Sequence, residues 1–179
     1  MAIKTFTTGE LLSSSDTNTY LANSGLVYVT SATIGTAVSS VAVANAFSAT
    51  YDNYKIVAHG GIGNTFQAIS MTLTGAATSY YQILAYWAYA GGAASSTGVS
   101  NAAQWTYIGE SGESNTIDID VLGPNTAKYT QFAGNYIGFT ISGTIAGYHA
   151  QTTAYTGFTI ATGGTMTGGT ITVYGYRKA

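Results

Sequence analysis

From Leu26 onward the dominant signal is a two-residue period, and it governs what this chain folds into. In "FQAISMTLTG", Ile69, Met71 and Leu73 fall on one side and Ser70, Thr72 and Thr74 on the other. In "YDNYKIVAHGG", Tyr54, Ile56 and Ala58 share a side. In "NTIDIDVLGP", Ile117, Ile119 and Val121 oppose Asp118 and Asp120. Successive side chains of a strand point to opposite faces, so this pattern marks strands with one buried face. Further segments follow the same rule: "LVYVTSATIG", "SSVAVANAF", "YYQILAYWAYAGG", "AQWTYIG", "GNYIGFTISG", "YTGFTIATGG" and "GTITVYGYR". The spacing of turn signals suits a sandwich or barrel of nine or ten short antiparallel strands. No helical period lasts long enough for alternating strand–helix units.

Two regions break the pattern. In residues 1–25, "SSSDTNTYLANSG" offers caps at Ser15 or Asp16 and a stop at Gly25, which predicts a helix of two or three turns. Such a helix needs docking to be stable. The segment therefore reads as an arm ahead of a domain spanning 26–179. "AGGAASSTGVSN", residues 90–101, predicts an exposed loop. In "TGGTMTGGT" the expectation is a turn at Gly163-Gly164, a bend at Gly168-Gly169, and Met166 as a loop tip or a packing plug. The repeat lacks the Asp of calcium-binding glycine repeats.

Charge is scarce. Charged residues make up 7% of the chain, against a usual value of about 25%. Residues 56–109 and 129–176 contain no Asp, Glu, Lys or Arg. Free monomers normally keep charges at the surface, so a surface of hydroxyls, amides and tyrosines suits contact with protein or sugar. A net charge of −2 with no basic block gives no electrostatic footprint for nucleic acid. The absence of Cys excludes disulfides and thiolate metal sites. No apolar run reaches the length of a membrane-spanning helix, and no signal-like apolar stretch opens the chain. The expectation is synthesis in a cytoplasm, with no membrane insertion.

The chemistry-bearing residues are few. His59 and His149 make a poor metal set and read as strand-end or loop residues. Asp118 and Asp120 share one strand face, where they serve as a carboxylate pair or as the solvent side of the strand. Glu110 and Glu113 read as turn residues. A glycan-degrading enzyme would draw on these four carboxylates. No nucleophile elbow occurs, and "GGIGNT" lacks the Lys and the helix of a phosphate loop. The aromatics Tyr80, Tyr81, Tyr86, Trp87, Tyr89, Trp105 and Tyr107 cluster in the middle third. Exposed, they would stack on sugars or anchor an interface; buried, they would fill a core. Trp87, Trp105, Tyr86, Tyr89 and Tyr107 are the binding candidates. Alternation puts Tyr81, Ile83, Ala85 and Trp87 on one face and Gln82, Leu84, Tyr86 and Ala88 on the other. Both faces are apolar, as for a strand covered twice, once by a neighbouring subunit.

"KTFTTGELLSSSDTNTYLANSGLVYV" resembles the opening of many tailed-bacteriophage virion proteins. "FSATYDNYKIV" and "AYTGFTIATGGTMTGGTITVYGYRKA" resemble later parts of the same group, so the likeness covers most of the chain. The resemblance implies a non-enzymatic protein on the particle exterior with a jelly-roll-like sandwich; from the residues themselves, no cofactor or metal is expected. Such proteins are commonly trimeric. They serve as head fibres, decoration or cement proteins, or as tail-fibre components that meet host glycans. It also implies that the arm, through Phe6, Gly9, Leu11, Asp16, Asn18, Tyr20 and Leu21, attaches to capsid or tail proteins.

Overall fold

The computed structural model describes residues 7–11, 13–14 and 25–178. The helix expected between the caps at Ser15 or Asp16 and the stop at Gly25 falls on residues 15–24, among them Asp16, Asn18, Tyr20 and Leu21; these lie outside the described residues, as does Phe6. Among the described residues thirteen strands form: β1 (Leu26–Thr33), β2 (Val38–Val43), β3 (Asn53–His59), β4 (Ile62–Gly63), β5 (Gln67–Leu73), β6 (Tyr80–Ala88) and β7 (Ala94–Ala102). The chain continues through β8 (Trp105–Ser111), β9 (Thr116–Leu122), β10 (Thr130–Ile137), β11 (Ile141–His149), β12 (Phe158–Thr167) and β13 (Thr170–Tyr176). Every pairing is antiparallel.

The pairings make two runs. The longer is β1-β13-β3-β9-β10-β11-β6-β7, and the shorter is β2-β12-β5-β8, with β4 beside β12. They join through two residue pairs between β8 and β9, Gly109 with Ile117 and Glu110 with Thr116. The apolar sides of the two runs meet. Trp105 of β8 packs its ring 4.6 Å from Phe132 of β10 and 5.1 Å from Tyr80 of β6. Phe47 stacks on Phe158 of β12 at 5.6 Å and meets Tyr54 of β3 edge-on at 4.9 Å. The result is a sandwich-like all-β fold whose core is aromatic at both ends. Each such side chain contributes roughly 1.5–3 kcal/mol by leaving water.

The alternating segments behave as expected. Tyr54, Ile56 and Ala58, then Ile69, Met71 and Leu73, then Ile117, Ile119 and Val121 are all buried. Three readings need correction. Residues 94–102 are a strand, not a loop, because the backbone of β6 supplies a ladder that β7's own small side chains do not advertise. "GNYIGFTISG" spans the end of β10, a turn, and the start of β11, closed by the Gly138 N–H donating to the Ile141 carbonyl at 3.0 Å.

The third correction concerns "TGGTMTGGT". Gly163 and Gly164 lie inside β12, at the interruption of its pairing with β2 between Ala161 and Met166. The turn sits instead at Gly168-Gly169, both with positive φ (72° and 89°), and links the two runs. Met166 is fully buried, a packing plug rather than a loop tip. A Cβ on Gly61 would overlap the Gly168 carbonyl. The glycines of "HGGIG" and "TGGT" therefore exist so that two backbones can touch. Asn64 completes the junction: its Oδ1 accepts from the Thr165 N–H at 2.8 Å.

Candidate functional site

The outward side of the longer run is the surface that needs a role. Register fixes which residues share it. One row across β10, β11 and β6 is Gln131, Tyr148 and Tyr81; the next is Ala133, Ala146 and Ile83. Tyr81 and Tyr148 stack at 4.7 Å with planes 4° apart, and Tyr129 stacks on Tyr148 at 6.1 Å. The rings form a wall, and the small side chains of the next row leave a depression beside it of about 570 Å³. Val99 of β7 and Leu122 of β9 complete its lining. This volume falls in the range of small-molecule sites, and its lining is apolar apart from the tyrosine hydroxyls and the Gln131 amide. Ile83 and Trp87, farther along the same face of β6, are 57% and 53% exposed.

The charged half of this face is self-contained. Lys55 Nζ lies 2.5 Å from Asp118 Oδ1 and 3.6 Å from Asp120 Oδ2. Asn135 donates to Asp118 Oδ2 at 2.9 Å, and the Tyr176 hydroxyl donates to Asp120 Oδ1 at 2.5 Å. The Lys55 ammonium, then the Asn135 amide, hold the Asp118 carboxyl below its ordinary range. The hydrogen bond to Asp120 pushes the Tyr176 hydroxyl up to about 12. A carboxylate held ionised between a lysine and an amide suits an ion cluster rather than a proton shuttle. Glu110, expected in a turn, lies within β8 and is likewise committed. It accepts from the Tyr136 hydroxyl at 3.0 Å and from the Phe139 N–H at 2.6 Å, and burial together with its charge raises the Tyr136 hydroxyl.

The two histidines do different things. His59 is exposed at the end of β3. His149 is fully buried; it donates from Nε2 to the Thr78 carbonyl at 2.9 Å, so its Nδ1 accepts from the Tyr155 hydroxyl at 3.1 Å. Burial holds its pKa below the ordinary value. Among the described residues, no group of three His, Asp or Glu side chains gathers to hold a metal.

The aromatic candidates divide. Trp87 and Tyr89 face solvent, at 53% and 62% exposure. Tyr86 and Tyr107 are half-buried and packed against the core. Trp105 is fully buried, with Nε1 donating to the Tyr148 carbonyl at 3.3 Å, so it is a core residue and meets no surface ligand. Tyr148 and Tyr129 escaped the sequence reading, because their stacking on Tyr81 depends on a register between distant strands. In the arm, the Glu10 N–H donates to the Thr7 carbonyl at 3.0 Å across Gly9 (φ 88°), and Leu11 is 90% exposed.

One strand edge is closed by a side chain. Gln82 of β6 points inward and is nearly buried. Its Oε1 accepts from the N–H groups of Thr106 (2.8 Å) and Tyr107 (3.2 Å), and its Nε2 donates to the Tyr107 carbonyl (2.8 Å). The amide thus does for β8 what a neighbouring backbone would do.

No protein-family model, curated protein or solved structure matches the chain.

Proposed function

We propose that the protein is a non-enzymatic structural component of the exterior of a tailed-phage virion, built as a jelly-roll-like sandwich on an attachment arm. It works by contact, as a fibre or knob component. The arm docks on capsid or tail proteins, and the outward face of the longer run meets other copies or a host glycan.

The observation that carries this reading is the division of that face. Its charges are spent on one another, and the remainder is an uncharged apolar and tyrosine-rich surface. Such a surface is suited to burial against a partner. The resemblance of the arm and the last strand to phage virion proteins is the support for that location. The commitments of Asp118, Asp120 and Glu110 to structural partners weigh against a glycosidase.

Immunogold electron microscopy on purified particles, with antibody raised against residues 26–179, tests the proposal. Label at the tail supports a role in adsorption, and label over the head supports head fibre or decoration. Intact and gently opened particles that both stay unlabelled refute the virion reading.

A further inference from the structure

We propose that the free edge of β7 is a self-pairing seam, on which a second copy of this chain lays its own β7 antiparallel and continues the sheet. The inference rests on the self-assembly in the reading above and says where that assembly happens.

The hydrogen-bond phase of β7 can be followed from its turn. The Ala88 N–H donates to the Ala93 carbonyl at 3.1 Å. In an antiparallel pair, bonded and non-bonded residue pairs alternate. Ser95, Thr97 and Val99 therefore bond to β6, while Ala94, Ser96 and Gly98 turn their N–H and C=O groups away from it. Among the described residues β7 pairs with β6 alone. The three outward-bonding residues are an alanine, a serine and a glycine, whose side chains shield nothing.

Proteins guard such edges with Lys, Pro, inward charges, bulges or a cover. β8 has its guard in Gln82. The other outer strands, β1 and β2, have pairings interrupted by register shifts at Tyr28/Thr30 and Ala161/Met166. β7 carries no charge and no proline, and its regular pairing runs unbroken from Ala94 to Val99 before a bulge at Ser100-Asn101.

The edge is complementary to itself. With Ser96 opposite Ser96 of the second copy, Ala94 falls opposite Gly98 on both sides of the axis. All three outward residues then meet outward residues, giving about six backbone hydrogen bonds, two for each bonded pair. Residues 56–109 hold no charged side chain, so the twofold brings no like charges together. Ile83, which lines the depression, pairs with Gly98 on the outward side, so the seam sets the outward faces of the two copies edge to edge. Pairing like edges is isologous and gives a twofold axis; a trimer would need an unlike contact.

Sedimentation velocity on the full chain tests the seam. The wild type should sediment at twice its 18.4 kDa chain mass. Ser96→Lys should halve that mass. Ser96→Pro should do the same, because the Ser96 N–H makes no bond to β6 and the internal ladder survives its loss. Far-UV circular dichroism confirms that each variant stays folded. The chain has no native Cys, so oxidised Ser96→Cys should form a disulfide dimer, whereas Ser31→Cys on β1 should not. A monomeric wild type overturns the proposal. So does a dimer or trimer whose mass survives both Ser96→Lys and Ser96→Pro. Particle labelling is independent of these masses, so failure of the seam and failure of the virion reading are separable.

Discussion

Replacing Gln82 by Met keeps the length of the side chain and removes its amide. Two N–H groups, on Thr106 and Tyr107, and the Tyr107 carbonyl then lose their partner. A buried polar group left unpaired costs about 1–3 kcal/mol, so three suggest roughly 3–9 kcal/mol. Thr106 and Tyr107 are half-buried, and water reaching them draws the expectation to the lower part, about 3–5 kcal/mol. For a chain of this size that lowers Tm by roughly 6–20 °C. Urea unfolding followed by tryptophan fluorescence, at one protein concentration, measures it. A loss below about 1 kcal/mol would show that the amide does not stand in for a strand, and would refute the reasoning. Gln82→Glu adds a directional check. Its carboxylate accepts from both N–H groups but faces the Tyr107 carbonyl, so the folded state favours the protonated acid. Stability of that variant should therefore be regained as pH falls and lost as pH rises through the folded-state pKa.

Two further outcomes follow from the geometry. Gly61→Ala should cost roughly 2–5 kcal/mol in urea unfolding, combining the left-handed backbone penalty with the overlap on Gly168. Gly91→Ala, at a similar φ of 83° but in open space, should cost only about 1–2 kcal/mol, and equal losses would remove the close approach as the cause. His149 is held neutral in the fold, with its pKa below the unfolded value of 6.5. The unfolded chain takes up a proton first, so this site's contribution is complete above pH 6.5 and lost as pH falls toward the folded pKa. His149→Gln should flatten that part of the stability–pH curve, and an unchanged curve would show that another group is responsible.

The parts of the fold that were legible are those where one strand face is buried. Alternation in β3, β5 and β9 separates core from solvent because each strand packs one side inward. β7 was illegible for the converse reason. An edge strand buries little on either face, so its sequence of Ala, Ser, Thr and Gly reads as linker while the hydrogen bonds that define it come from β6. The same physics hid the tyrosine wall. Alternation groups Tyr81 with Ile83, Ala85 and Trp87 on one face of β6, but its stacking partner Tyr148 is 67 residues away and is fixed by β11–β6 register. Trp105 shows the limit of composition: "AQWTYIG" contains both a buried and a half-buried aromatic, and which one faces inward depends on the irregular pairing of β8 with β5.

The pairing of β1 with β13 sets how this domain bears load. Leu26 lies opposite Tyr176, and the Arg177 N–H donates to the Gly25 carbonyl at 3.0 Å. The chain therefore enters and leaves the domain side by side. Tension applied between these two ends peels β1 from β13 one rung at a time instead of shearing all the rungs together. The rungs nearest residues 26 and 176 carry that load first. A mechanically durable attachment would have to pull on the arm against some surface of the sheet other than its own last strand.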